Sequence, residues 1–120
     1  MKLEEKVILK MAKKHYPFIK GINIEYVGYN IRATVDIMWR QFKQYYNLTQ
    51  TDKFENAMDL MGGSISVRDL PYNDIDLVNN FGIEMFELEN QLGGIINRTI
   101  EMIHPNKTNS VIFNYYTFWA

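Results

Sequence analysis

Apolar residues near the start of the chain fall at Leu3, Val7, Ile8, Met11 and Ala12, with Lys6, Lys10, Lys13 and Lys14 between them. Steps of three and four are the period of an amphipathic helix. They predict a helix from residue 2 to about residue 15, with Pro17 discouraging its continuation. The period then changes to two in "INIEYVGYNIRATVDIMW". A two-residue loop at Gly28-Tyr29, with glycine first as a type II′ turn prefers, pairs Tyr26 with Ile31, Ile24 with Ala33 and Ile22 with Val35. On the other face Glu25 then meets Arg32 and Asn23 meets Thr34. A slip of one residue would mix apolar with polar, so this register is strongly specified, and the sheet it starts has one greasy face and one wet face.

After Trp39 the pattern weakens. "RQFKQYYNLTQT" allows a short helical turn with Phe42 and Tyr46 inward. "DKFENAMDLMGG" reads as a further helix with a capping box of Asp52 and Glu55 and a stop at Gly62, whereas "SISVRDLP" is a short strand or a loop. From Ile75 through Val78, Gly82, Met85, Leu88, Leu92, Ile95 or Ile96, Thr99 and Ile103 the helical period returns. Asn73 is its expected N-cap and His104-Pro105 its end. Gly82, Gly93 and Gly94 lie inside, each costing about 1 kcal/mol relative to alanine, so the span is one kinked helix or two joined near Gly82. The glycine pair reads as a place where the helix packs closely on the sheet.

The expected fold is therefore one α+β domain over residues 1–120. It is a two-layer sandwich in which a small antiparallel sheet, made of a hairpin at about 21–39 and a C-terminal strand at about 109–119, packs on the N-terminal helix and a long helix at about 73–103. The last strand, "SVIFNYYTFWA", poses a difficulty. Simple alternation puts Val111, Phe113, Tyr115, Thr117 and Trp119 on one face and Ile112, Asn114, Tyr116 and Phe118 on the other. Both faces are apolar or aromatic, yet helices cover one side only. Either residues 40–70 fold over the second side, or that side meets a partner, or its rings stack on nucleic acid.

Composition and charge narrow the classes. Of 120 residues 47% are hydrophobic and none is cysteine, which excludes disulfides, thiolate metal sites and a cysteine nucleophile. Charges interrupt the apolar residues of "MKLEEKVILKMAKKHY", which does not read as a signal peptide, and no stretch has the length of a membrane span. These features lead us to expect a cytoplasmic protein. The net charge of −1 is uneven: residues 1–50 carry nine basic and four acidic side chains, residues 51–103 three and ten. Such a chain is suited to self-complementarity, within a monomer or between copies, and lacks the unopposed basic face of a general nucleic-acid binder.

Catalytic chemistry is hard to find. His15 sits at the end of the first helix, where a positive charge suits the dipole. His104 follows Glu101 at the i, i+3 spacing of di-iron bundles, but the second pair those sites need is missing. "MGGSIS" has no lysine at phosphate-loop spacing, and Gly93-Gly94 lacks the third glycine of a dinucleotide fingerprint. We therefore expect no enzyme activity, cofactor or metal. The expected function is that of a protein-binding factor, its anchors Ile112, Tyr116, Phe118 and Trp119 on the last strand and Lys6, Lys10 and Lys13 on the first helix. Heavy use of Asn, Ile and Lys suggests an AT-rich genome, and with it a phage or mobile-element protein that engages or inhibits a host or defence protein. The alternatives are a small virion or tail-type assembly subunit that forms homo-oligomers, and a nucleic-acid-binding module.

Overall fold

A computed structural model describes residues 2–47, 64–65, 75–107 and 110–119, with backbone alone at 64–65, 75–82, 115, 118 and 119. In chain order its elements are α1 (Leu3–His15), β1 (Ile19–Val27), β2 (Asn30–Met38), α2 (Trp39–Tyr46), β3 (Ser64–Ile65), α3 (Ile75–Ile103) and β4 (Ser110–Trp119). The strands form one sheet in the order β1-β2-β4-β3. Helices α1 and α3 pack on the sheet and against each other, which is the expected two-layer α+β arrangement. The expected helix over 52–61 and the Asn73 cap lie outside the described residues.

The hairpin adopts the register that its pattern specifies. Ile22 faces Val35, Asn23 faces Thr34, Ile24 faces Ala33, Glu25 faces Arg32 and Tyr26 faces Ile31. Gly28 has φ +61°, the positive value that the first position of a type II′ turn requires and that glycine adopts without a Cβ penalty. The helix-facing residues Ile24, Ile31, Ala33, Val35 and Ile37 are fully buried, while Asn23, Glu25 and Arg32 are exposed. One face is greasy and the other wet, as alternation demands.

The sheet differs from expectation in direction: it is mixed, not antiparallel. β4 runs parallel to β2, and the two-residue β3 pairs antiparallel on its far side. The long helix explains the parallel pair. At ~1.5 Å per residue α3 is long enough to carry the chain back along the whole layer, so β4 starts beside the start of β2 and follows its direction. β3 also lies within the 40–70 stretch considered as a cover for the second face; its two described residues extend the sheet instead.

A bulge interrupts the β2–β4 ladder. Ala33 faces Phe113 and Val35 faces Tyr116, so β4 spends three steps where β2 spends two. The extra residue resets the alternation of β4. Val111, Phe113 and Tyr116 all pair with helix-facing residues of β2, and Phe118 takes the register position opposite Ile37. The two-face assignment drawn from simple alternation is therefore corrected from Tyr116 onward.

Above the sheet, α1 and α3 run in opposite directions. Glu4 meets His104, Met11 meets Thr99, and Tyr16 donates its hydroxyl proton to Gln91. Thr99 is buried and donates to the Ile95 carbonyl at 2.8 Å, which satisfies its hydroxyl inside the helix layer. Residues 75–103 form one continuous helix and not two. Of the glycine pair, Gly93 approaches the sheet: a Cβ there would lie 3.8 Å from the Phe113 ring. Gly94 faces open space and the contact at Gly93 is an ordinary van der Waals distance, so close packing demands glycine at neither position. At the end of the layer α2 buries Phe42 and half-buries Tyr46, and Asn47 closes it in the left-handed region at φ 52°.

Two stability predictions follow from the helix layer. Gly94→Ala gains helix propensity without meeting any neighbour and should raise the unfolding free energy by up to about 1 kcal/mol. A loss of stability in urea titration would contradict the open environment. The hydrogen bond from His104 holds the Glu4 carboxyl below its ordinary value of 4.5. A lowered folded-state pKa contributes stability that is present above the ordinary glutamate value and is lost as pH falls through the folded one. Glu4→Gln should therefore lower the urea midpoint at neutral pH, with the difference from wild type beginning to shrink as pH falls below 4.5 and disappearing only below the lowered folded-state value.

Candidate protein-binding surface

The residues singled out from sequence do not gather into one site. Lys6, Lys10 and Lys13 are exposed on the outer face of α1, with Lys14 beside them. None of the four forms an ion pair with a described residue. Ile112 is 46% exposed, but on the wet face of the sheet, opposite Arg32. Its register partner on β2 is thus a charged residue, and a single exposed apolar side chain is ordinary on a protein surface. Phe118 and Trp119 stand opposite Ile37 and Met38 in the ladder, and their side chains lie outside the described residues.

Tyr116 is a correction. It is 3% exposed and belongs to the core. Its ring stacks on Phe113 at 6.1 Å between centroids and 8° between planes. Burial, and then the nearby Glu89 carboxylate, push the phenol well above its ordinary pKa. The hydroxyl is buried without a hydrogen bond of ordinary geometry. The bulge is the cause: without the extra residue Tyr116 would fall on the wet face. A signal for it stands in the sequence, because the polar residues Asn114 and Thr117 are three apart, which period-two alternation does not allow.

Beside α2 the rings of Tyr16, Phe18, Phe42, Tyr45 and Tyr46 form a dense aromatic joint. Phe18 meets Phe42 at 5.1 Å and 87°, and Tyr45 meets Tyr46 at 4.8 Å and 75°. These are edge-to-face arrangements, which bring the positive ring edge to the negative ring face. Burial pushes the Tyr46 hydroxyl far up, with Tyr16, Tyr45, Glu84 and Glu87 adding to it. Glu84 is itself raised, by burial first and then by Glu87. Two carboxylates of α3 thus flank this joint.

The same stretch of α3 exposes apolar side chains that the sequence reading left unassigned. Met85, Leu88 and Leu92 are fully buried, whereas Ile83 is 55% and Phe86 64% exposed. At three residues apart these two share a face directed away from the core stripe. They could have been recognised as the apolar residues that fall off the Met85–Leu88–Leu92 stripe. Together, Ile83, Phe86, Glu84 and Glu87 form an apolar surface edged with negative charge.

Among the described residues no three of His, Asp or Glu gather where they could hold a metal ion. His104 is engaged by Glu4 at 2.6 Å, an inter-helix tie between residues 100 positions apart. No helix among the described residues is long and apolar enough to cross a membrane.

Truncation at Tyr116 separates core from surface. Tyr116→Ala should destabilise the fold by about 3–5 kcal/mol, as loss of a buried ring does. Tyr116→Phe should change stability by less than about 1 kcal/mol, since it removes a hydroxyl without a well-formed partner. Chemical denaturation of both variants checks this; an Ala variant as stable as wild type would place the ring outside the core. No family model, curated protein sequence or solved structure matches the chain.

Proposed function

We propose that this chain is a non-enzymatic protein-binding factor, and that its binding face is the apolar and acidic face of α3 around Ile83 and Phe86. The single observation that carries the reading is the 64% exposure of Phe86 beside the 55% exposure of Ile83. Burying a phenylalanine is worth roughly 1.5–3 kcal/mol, so a folded monomer that leaves one in water forgoes that stabilisation. Aromatic side chains are enriched where interfaces are most deeply buried, and contiguous apolar surface on a monomer marks interaction sites. Glu84 and Glu87 beside the pair select a partner surface that is apolar at its centre and basic at its rim.

The burial of Tyr116 removes one of the last strand's expected anchors, and the proposed contact moves from the sheet to the helix layer. Lys6, Lys10 and Lys13 keep the role of an orienting charged surface. Engagement of a host or defence protein by a phage or mobile-element product is the concrete form of this proposal; it rests on amino-acid usage and small size.

Affinity capture on immobilised protein tests the reading. Wild type and a Tyr29→Ser control, altered at the exposed hairpin tip, should retain the same protein from a lysate. The double variant Ile83→Ser, Phe86→Ser should lose it at least tenfold while its circular dichroism and unfolding midpoint stay near wild type. Equal retention by all three would rule the α3 face out.

A further inference from the structure

The two exposed faces of the helix layer are complementary to each other. On α1, Lys6, Lys10, Lys13 and Lys14 are exposed together with Leu3, which is 64% exposed. On α3, Glu84 and Glu87 accompany Ile83 and Phe86. Each face thus offers an apolar element with charges of one sign, and the signs are opposite. The first half of the chain as a whole is basic and the stretch 51–103 acidic.

Within one molecule the two apolar elements cannot satisfy each other. Glu4 is held to His104, so Leu3 lies at the C-terminal end of α3. From there to Phe86 the helix rises ~27 Å, because α1 and α3 run in opposite directions and Tyr16 already meets Gln91. Leu3 and Phe86 therefore stand near opposite ends of the layer.

We infer that the occupant of the Ile83–Phe86 face is the lysine-bearing α1 face of a second copy of this chain. The inference rests on the α3 face being the binding face, as proposed above, and puts a second copy on that face in place of a foreign protein; the two readings share the face and differ in its occupant. Because the two faces differ, the contact is heterologous: each copy offers one of each kind, and association continues head to tail into a ring or a short filament. Exposed ion pairs contribute little individually and are screened beyond about 8 Å at physiological ionic strength. The Phe86 and Ile83 side chains hold the copies together, and the lysines and glutamates fix register and make the association weaken with salt.

Sedimentation velocity over a concentration series tests this. At low salt the weight-average mass should rise above the 14.2 kDa of one chain as concentration increases, and it should fall back as salt is added. Phe86→Glu should stay at monomer mass, and so should the double variant Lys10→Glu, Lys13→Glu. An equimolar mixture of the two variants should form a dimer and nothing larger, because the first keeps its lysine face and the second its α3 face. Circular dichroism confirms that both variants fold. Wild type at 14.2 kDa under all conditions, oligomers unchanged in either variant, or a mixture that remains monomeric would each overturn the inference. If wild type is monomeric and the capture experiment still depends on Ile83 and Phe86, the binding face stands and only its occupant is wrong. If capture shows no such dependence either, both readings fall.

Discussion

The fold depends on β2 being paired on both sides while keeping an unbroken row of inward residues. Ile31, Ala33, Val35 and Ile37 are fully buried under the helices. To its left β1 matches them residue by residue, because the hairpin turn fixes the register. To its right β4 must match them too, although its own sequence does not alternate cleanly. The bulge between Phe113 and Tyr116 solves this by adding one residue to β4. Phe113 and Tyr116 can then stack on the helix side, where the Phe113 ring lies near Gly93 of α3. A terminal strand that seems oily on both faces is a strand whose phase changes partway along.

Much of this was legible in the residues because it is local. Ile8 and Ala12 of the α1 stripe, the Gly28-Tyr29 turn with its whole register, the end of α3 at His104-Pro105 and the inward Phe42 all follow from spacing within one element or one hairpin. Leu3, expected on that stripe, is instead exposed, and Glu5 is buried. What could not be read depends on contacts between distant parts of the chain. The parallel direction of β4 follows from the return path of α3, which pattern alone does not give. The bulge is set by a partner strand some 80 residues earlier, though Asn114 and Thr117 hinted at it. The tie between Glu4 and His104 joins the start of α1 to the end of α3, and no periodicity could pair them. The glycine pair was read as a unit, yet only Gly93 faces the sheet.

The functional surface shows the same division between local and distant information. Lys6, Lys10 and Lys13 were identifiable as an outward face and are exposed. Tyr116 was chosen by alternation and proved to be core for the reason just given. Ile83 and Phe86 fall off the helical stripe, so the period that reveals Met85, Leu88 and Leu92 does not reveal them. An apolar residue off the stripe is the more informative one, since burial in the monomer does not account for it. The helix layer therefore presents a basic face on α1 and an apolar, acidic face on α3.

The central claim, that a bulge turns the aromatic strand inward, is open to direct observation. Backbone nuclear Overhauser contacts in an isotope-labelled sample report which residues of β2 and β4 stand opposite each other. The account predicts contacts that place Ala33 opposite Phe113 and Val35 opposite Tyr116, with one additional residue between them on β4. An uninterrupted ladder placing Val35 opposite Tyr115 would contradict it and return Tyr116 to the wet face of the sheet.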